Sequence, residues 1–316
     1  MLPGSASYVM DSIETNFYLL TDTYIYTFNS DGAQLAGIQH GFQNPSVTSG
    51  EKRILVYDKN GKEFKVFSKT AETFSAALDD SIVFAKMSKN NRSAVVTTST
   101  RYSNYLYIFS DEGKQIFRYA SPNEKIMQVC FSDNGNFVYL SVVGEKAGEL
   151  QSSVLCFDIT KEQNAVWREQ IGNMLTYSLE CCGDGIYCVT EQGAFLLNAS
   201  SGKMNAQNYF TQSVTGISKT NGARVIFFRD TAFNGQTAVL YDNELNAVNT
   251  KAFDNISAFD LSEGVLYVLS GNKLTAYSNS LNDERVYELD DDYSSVKIIG
   301  KYAYLLGYNS VGRIDL

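Results

Sequence analysis

Short runs of alternating or apolar residues, broken by polar turns, follow one another along the whole chain, and one pattern recurs. A strand-like run ends in a large apolar or aromatic residue that is followed by Asn, Asp or Ser. The copies are Tyr26-Thr27-Phe28-Asn29, Lys65-Val66-Phe67-Ser68, Tyr107-Ile108-Phe109-Ser110, Leu155-Cys156-Phe157-Asp158, Leu196-Leu197-Asn198, Leu240-Tyr241-Asp242, Ala276-Tyr277-Ser278 and Arg313-Ile314-Asp315. The eight anchor residues recur at a mean spacing of about 41 residues, a blade-length period.

Most copies lead into a turn and another strand, as at Ser30-Asp31-Gly32, Asp111-Glu112-Gly113 and Ser200-Ser201-Gly202. There Asp or Ser closes the turn and glycine supplies a positive φ. A second turn series precedes most copies: Asn90-Asn91, Asn134-Gly135, Asp184-Gly185, Asn221-Gly222, Glu263-Gly264 and Gly300. Each period therefore holds four strands. Antiparallel four-strand units of about 40 residues without intervening helices predict an all-β fold, an eight-bladed β-propeller. A β-helix has shorter periods, and the 3.6-residue apolar spacing of helical solenoids is absent.

Seven blades is the alternative, because Arg53-Ile54-Leu55-Val56-Tyr57-Asp58 imitates the anchor pattern and the first two units are the least regular. Choosing Phe67 as the second anchor keeps the spacing even and places it in the third strand of its blade. The last unit ends one strand short, and the segment Ser7-Tyr8-Val9-Met10, just before an expected first inner strand near Ser12 to Glu14, is expected to close that blade. With no Pro-, Gly- or Ser-rich linker, residues 1–316 read as a single propeller domain.

Composition narrows function more than it identifies it. With 44% apolar and 19% charged residues the chain has the means for a core. A net charge of −9 opposes phosphate backbones and anionic headgroups, so no nucleic-acid partner is expected. One histidine and one tryptophan argue against histidine-rich metal sites and against tryptophan-docked quinone cofactors. No cofactor, metal ligand or catalytic residue is expected. The five cysteines, Cys130, Cys156, Cys181, Cys182 and Cys188, imply no disulfide framework, and Cys156, Cys182 and Cys188 read as small buried hydrophobes. No apolar window is long enough to span a membrane, and Met1-Leu2-Pro3-Gly4-Ser5 lacks both parts of a signal peptide. The expectation is a soluble chain that meets a membrane only through an anchor it does not contain.

The runs Phe17-Tyr18-Leu19-Leu20-Thr21-Asp22, Phe42-Gln43-Asn44-Pro45 and Ile54-Leu55-Val56-Tyr57-Asp58-Lys59-Asn60-Gly61 carry a resemblance. Along nearly the whole chain they resemble an uncharacterised bacterial family of membrane-anchored β-propellers within the quinoprotein-like/WD40-like superfamily. That resemblance implies a cytoplasmic tail, one transmembrane helix and a propeller on the extracellular face of the membrane. It supplies no catalytic residues.

Three long connections stand out as candidate ligand loops: Thr98 to Asn104, Gly144 to Glu149 and Arg229 to Gly235. Within them Arg101 with Tyr102, and Arg229 with Phe233, bring a planar cation and an aromatic ring together, a combination enriched at recognition surfaces. Arg101, Tyr102, Glu145, Lys146, Arg229, Asp230 and Phe233 are the expected binding residues. The expectation is a non-enzymatic binding or scaffold propeller that recognises a protein or a glycan on its loop face. A glycosidase- or lyase-type enzyme with paired acids at the channel mouth, for which Asp230 and Glu145 are the acids to test, is the alternative. A structural spacer is the third reading. Asp290-Asp291-Asp292 lacks the spacing of a calcium loop and reads as a solvated turn, as does Asp79-Asp80. His40 has no partner spacing of a nucleophile.

Overall fold

In a computed structural model, the structure describes residues 8–161, 164–220, 223–229, 235–278, 280–282 and 284–316. Every regular element among them is a strand, and these form eight antiparallel sheets in chain order. The first seven sheets have four strands and the last, Ser295–Ile299, Tyr302–Leu306 and Val311–Asp315, has three among the described residues. Each strand pairs with its sequence neighbours, as short hairpin turns dictate. The fold class is an eight-bladed β-propeller, as the repeat predicts.

All eight anchors fall in the third strand of their sheets: Tyr24–Phe28, Glu63–Phe67, Asn104–Phe109, Glu149–Asp158, Gly193–Asn198, Gln236–Tyr241, Lys273–Tyr277 and Val311–Asp315. Ile54–Asp58, which imitates the pattern, is the second strand of its sheet, so Phe67 is the anchor. The polar residue after the anchor has a local cause. Asn29 Oδ1 accepts from the backbone N–H of Asp31 and Ala33, Asn198 Oδ1 from Ser200 and Ser201, and Asp242 Oδ1 from Glu244 and Asn246. These side chains satisfy turn amides that no strand can reach. Positive φ then falls on Gly32, Gly113 and Gly202, and the third–fourth strand register shifts at the anchor in several sheets. This is the combination of a type I turn with a bulge.

Second strands such as those of the first and third sheets are apolar without alternation because both of their faces are covered. Asn16–Leu20 and Ser93–Thr97 are buried along their whole length, whereas the fourth strands Gln34–Gln39 and Glu72–Ala77 alternate exposed and half-buried positions. The covering residues come from the next sheet. Leu106 and Ile108 of the third sheet pack with Val129 and Leu140 of the fourth, and Phe227 and Leu240 of the sixth with Leu266 and Val268 of the seventh. Within each unit these sheets thus depend on a neighbour for a core.

By contact density the chain divides into two units. One takes in the described residues of Ser5–Thr190 with Phe195–Asn205, and the other Glu191–Ala194 with the described residues of Ala206–Leu316. The first sheet begins earlier than its sequence suggests. Its first strand is Val9–Ile13, and Val9 and Met10, expected to close the last blade, lie opposite Leu20 and Leu19 of the first sheet. Met10 and Ile13 are buried in this arrangement. Ser7, the start of that expected closing segment, lies outside the described residues.

Candidate binding face

Loops between second and third strands emerge at the same end of a sheet as the connections to its neighbours, because four antiparallel strands reverse direction at each turn. In the third sheet this loop runs between Ser93–Thr97 and Asn104–Phe109. It is fixed at its base on both sides. Thr98 N–H donates to Ser81 O at 2.9 Å, and Asn104 Nδ2 donates to Thr97 O at 2.8 Å while its Oδ1 accepts from Ile126 N–H at 3.0 Å. Inside the loop Ser99 Oγ accepts from the N–H of Arg101 and of Tyr102, both at 3.1 Å. A hydroxyl bound to two successive amides holds the tip in one shape.

The tip presents a ladder of rings. Tyr102, 40% exposed, stands edge-on to Tyr105 with centroids 5.3 Å apart. The guanidinium that covers this ladder belongs to Arg118 on the fourth strand, 4.1 Å from the Tyr105 centroid and 5.3 Å from that of Tyr107. Arg118 lies opposite Tyr107 in the strand register, which places it over both rings. A stacked guanidinium still offers its edge donors to a ligand. Neither Arg101 nor Arg118 makes an ion pair or a side-chain hydrogen bond with a described residue. Burial pushes the Tyr107 hydroxyl pKa up, against the pull of Arg118, with Asp80 and Asp79 adding in the upward direction. The sequence reading singled out Arg101 and Tyr102 as expected binding residues and did not single out Tyr105 or Arg118, which the structure places beside Tyr102.

The Gly144 to Glu149 segment, expected as a long loop, is the end of a hairpin. Strands Phe137–Lys146 and Glu149–Asp158 pair through Glu145 with Leu150 and Lys146 with Glu149, leaving Ala147-Gly148 as the turn. Both turn residues have positive φ, 57° and 85°, the mark of a turn whose twist matches the strands. The Glu145 carboxylate accepts from Gly148 N–H and so caps this turn. The hairpin rests on the connection from the third sheet, where Glu124 lies against Gly144 and forms a two-point pair with Arg168, one arm at 2.8 Å. Arg168 also donates to Ser153 Oγ at 3.0 Å.

In the other unit Arg229 ends the strand Ala223–Arg229 and borders a depression of about 440 Å³ with Thr215, Gln236, Asp254 and Asn255. Thr215 Oγ1 donates to Gln236 Oε1 at 2.7 Å across it. Asp230 and Phe233, the other expected binding residues of this connection, lie outside the described residues.

Residues set aside as structural have visible partners. His40 is 1% exposed; its Nε2–H donates to Thr21 O at 3.2 Å and its Nδ1 accepts from Phe42 N–H at 3.0 Å. That arrangement requires the neutral ring, and burial lowers its pKa accordingly. Asp290 accepts from the Tyr293 hydroxyl in the turn before the last sheet. No disulfide joins the five cysteines. Cys156 and Cys188 are buried, with thiol pKa values pushed by burial up to about 12, while Cys182, expected to be buried, is half-exposed at the end of its strand.

The model of the Family of unknown function (DUF5711) matches residues 4–316. No curated protein matches the sequence. Among solved structures, the C-terminal WD40 domain of Sif2 is similar at a TM-score of 0.70 and 13% identity, covering 100% of this chain and 96% of that one. Apo AztD from Citrobacter koseri is similar at 0.65 and 11% identity, covering 98% and 91%. BamB from Moraxella catarrhalis is similar at 0.63 and 9% identity, covering 98% and 96%. At such identities the likeness carries the fold alone.

Proposed function

The chain belongs to the DUF5711 family, and on that footing we propose that it is a non-enzymatic binding module whose eight sheets serve as one scaffold domain and whose second-to-third-strand loops recognise a protein partner. In this reading it works on the extracellular face of a membrane, held by an anchor outside this sequence. The observation that carries the proposal is the tyrosine ladder at the third sheet. An exposed Tyr102, Tyr105 edge-on beside it and a guanidinium stacked over Tyr105 and Tyr107 make a surface of rigid aromatic area with unspent hydrogen-bond donors. Tyr and Arg are the side chains most enriched where interfaces concentrate their binding energy. The loop carrying Tyr102 is fixed at its base and the other members stand on strands, so little order has to be imposed on binding.

The test is affinity capture from solubilised envelope and from cytosol, with the parent chain beside a Tyr102→Ala, Arg118→Ala double variant and a Leu35→Ala control on an exposed outer position. The expected result is a protein retained by parent and control and lost by the ladder variant at unchanged circular dichroism. Equal recovery by all three removes the ladder from the reading. Capture that survives protease treatment of the lysate but not deglycosylation replaces a protein partner with a glycan.

A further inference from the structure

At the opposite end of these strands, four turns enclose a cavity between the fourth and fifth sheets. It is bordered by the first-to-second-strand turns at Ser132 and Gly183 and the third-to-fourth-strand turns after Asp158 and Asn198, and its volume is about 540 Å³. That size suits a small organic ligand or a single long side chain. All its lining residues belong to one unit of the chain.

The walls differ in character. Phe137, Val166, Ala199 and the Cys156 thiol give apolar surface, while Asp133, Asp158, Asp184 and Lys161 stand at the rim. Two of the carboxylates are already matched. Asp133 pairs with Lys89 at 2.8 Å and accepts from Gly183 N–H, and Asp158 pairs with Lys161 at 2.9 Å and accepts from the Thr160 hydroxyl at 2.6 Å. Asp184 has no side-chain partner among the described residues; only its backbone carbonyl is engaged, by Ala199 N–H. Deeper in, Tyr139 is 2% exposed and lines the cavity, and its hydroxyl makes no hydrogen bond to any described residue. That hydroxyl is not among the fully enclosed polar atoms, so it is reached from the cavity, where a ligand can supply its hydrogen bond.

We propose that this cavity between the fourth and fifth sheets binds a primary ammonium group on a short apolar stem, with Asp184 as the ionic partner, the Tyr139 hydroxyl as the hydrogen-bond acceptor and the Phe137–Val166 wall against the stem. The charge sets the class of ligand. An anion would face three rim carboxylates, of which only two are matched by lysines, and a neutral ligand would leave Asp184 unused. Cys156 does not compete for the chemistry, since burial keeps its thiol protonated. The ammonium could be that of a free amine or of a lysine side chain, and the two share this recognition.

The site has its own reporter. Trp167 is the only tryptophan of the chain; its Nε1–H donates to Ala199 O at 3.0 Å, and its ring lies 5.8 Å from that of Tyr139. Titration of the full chain with n-butylammonium is expected to shift Trp167 emission saturably, and 1-butanol, of the same shape without the charge, is expected to bind about tenfold more weakly or less. Asp184→Asn, in an exposed turn, is expected to weaken n-butylammonium about tenfold with unchanged circular dichroism, and Tyr139→Phe about threefold to tenfold. Cadaverine and Nα-acetyl-lysine methylamide, run side by side, tell a free diamine from a lysine side chain by whichever saturates at lower concentration. Equal binding of 1-butanol, indifference of the Asp184→Asn variant, or the absence of any saturable shift overturns the proposal. Because the cavity and the tyrosine ladder lie at opposite ends of the strands, either reading can fail without the other.

Discussion

Gly113 and Gly32 occupy the same position in the third-to-fourth-strand turns of the third and first sheets, with φ of +82° and +83°. Their surroundings differ. An alanine Cβ at Gly32 would meet nothing within 4 Å, whereas at Gly113 it would lie 2.7 Å from Cδ2 and Cγ of Phe74, on the fourth strand of the second sheet. Left-handed backbone costs an L-residue about 1–2 kcal/mol, and that is the whole expected cost of Gly32→Ala. At Gly113 the ring must also move. Phe74 stands edge-on to Phe64 at 6.0 Å, so it cannot withdraw without loosening a buried contact, and overpacking of this kind adds about 1–3 kcal/mol. The expected total for Gly113→Ala is about 2–5 kcal/mol.

The measurement is urea unfolding of the two variants, followed by far-ultraviolet circular dichroism and by Trp167 fluorescence. Gly113→Ala should lower stability by at least about 1 kcal/mol more than Gly32→Ala, and in a Phe74→Ala background that excess should vanish. Equal costs at the two glycines would refute the claim that this turn is pressed against the neighbouring sheet. An excess that persists without the Phe74 ring would assign it to backbone strain alone.

Leu281 stands in the seventh sheet's turn at φ 58° yet is 2% exposed within the core shared by the sixth and seventh sheets. Leu281→Gly relieves about 1 kcal/mol of backbone strain but forfeits about 1.5–3 kcal/mol of burial, so chemical denaturation should show a net loss; unchanged or greater stability would contradict this balance. His40 is the pH-sensitive contact: its folded pKa is lowered, so the unfolded chain holds the proton more tightly. The stability it contributes is full above about 6.5 and declines as pH falls toward the folded value, by at most about 1.4 kcal/mol per pH unit. Unfolding at pH 7.5 and 5.5 should show this loss in the parent and a smaller one in His40→Gln, and an equal loss in both would remove His40 as its source.

What could be read from the sequence was local, and what escaped it joins distant segments. An anchor followed by Asn, Asp or Ser marks a third strand because the polar side chain caps the very next turn, with no help from the rest of the fold. Even spacing then separated Phe67 from the imitation at Tyr57. The hairpin at Ala147-Gly148 read as a loop because its residues are polar and because alanine is a poor guess for positive φ, although Glu145 and Lys146 continue the ladder. Arg118 could have been found: counting back from the Ser110 to Lys114 turn, through the bulge at Phe109, sets it opposite Tyr107. The cavity could not, since Tyr139, Asp133 and Asp184 meet only when the fourth sheet packs on the fifth. The repeat explains this division. Within a unit a sheet writes its own turns and anchors but shares its core with a neighbour, so a concave surface such as this cavity arises at a seam. Substitutions of apolar residues inside a sheet should then act mainly on stability, and those at a seam such as Asp184 on ligand choice, while the ladder of Tyr102 and Arg118 is built within one sheet.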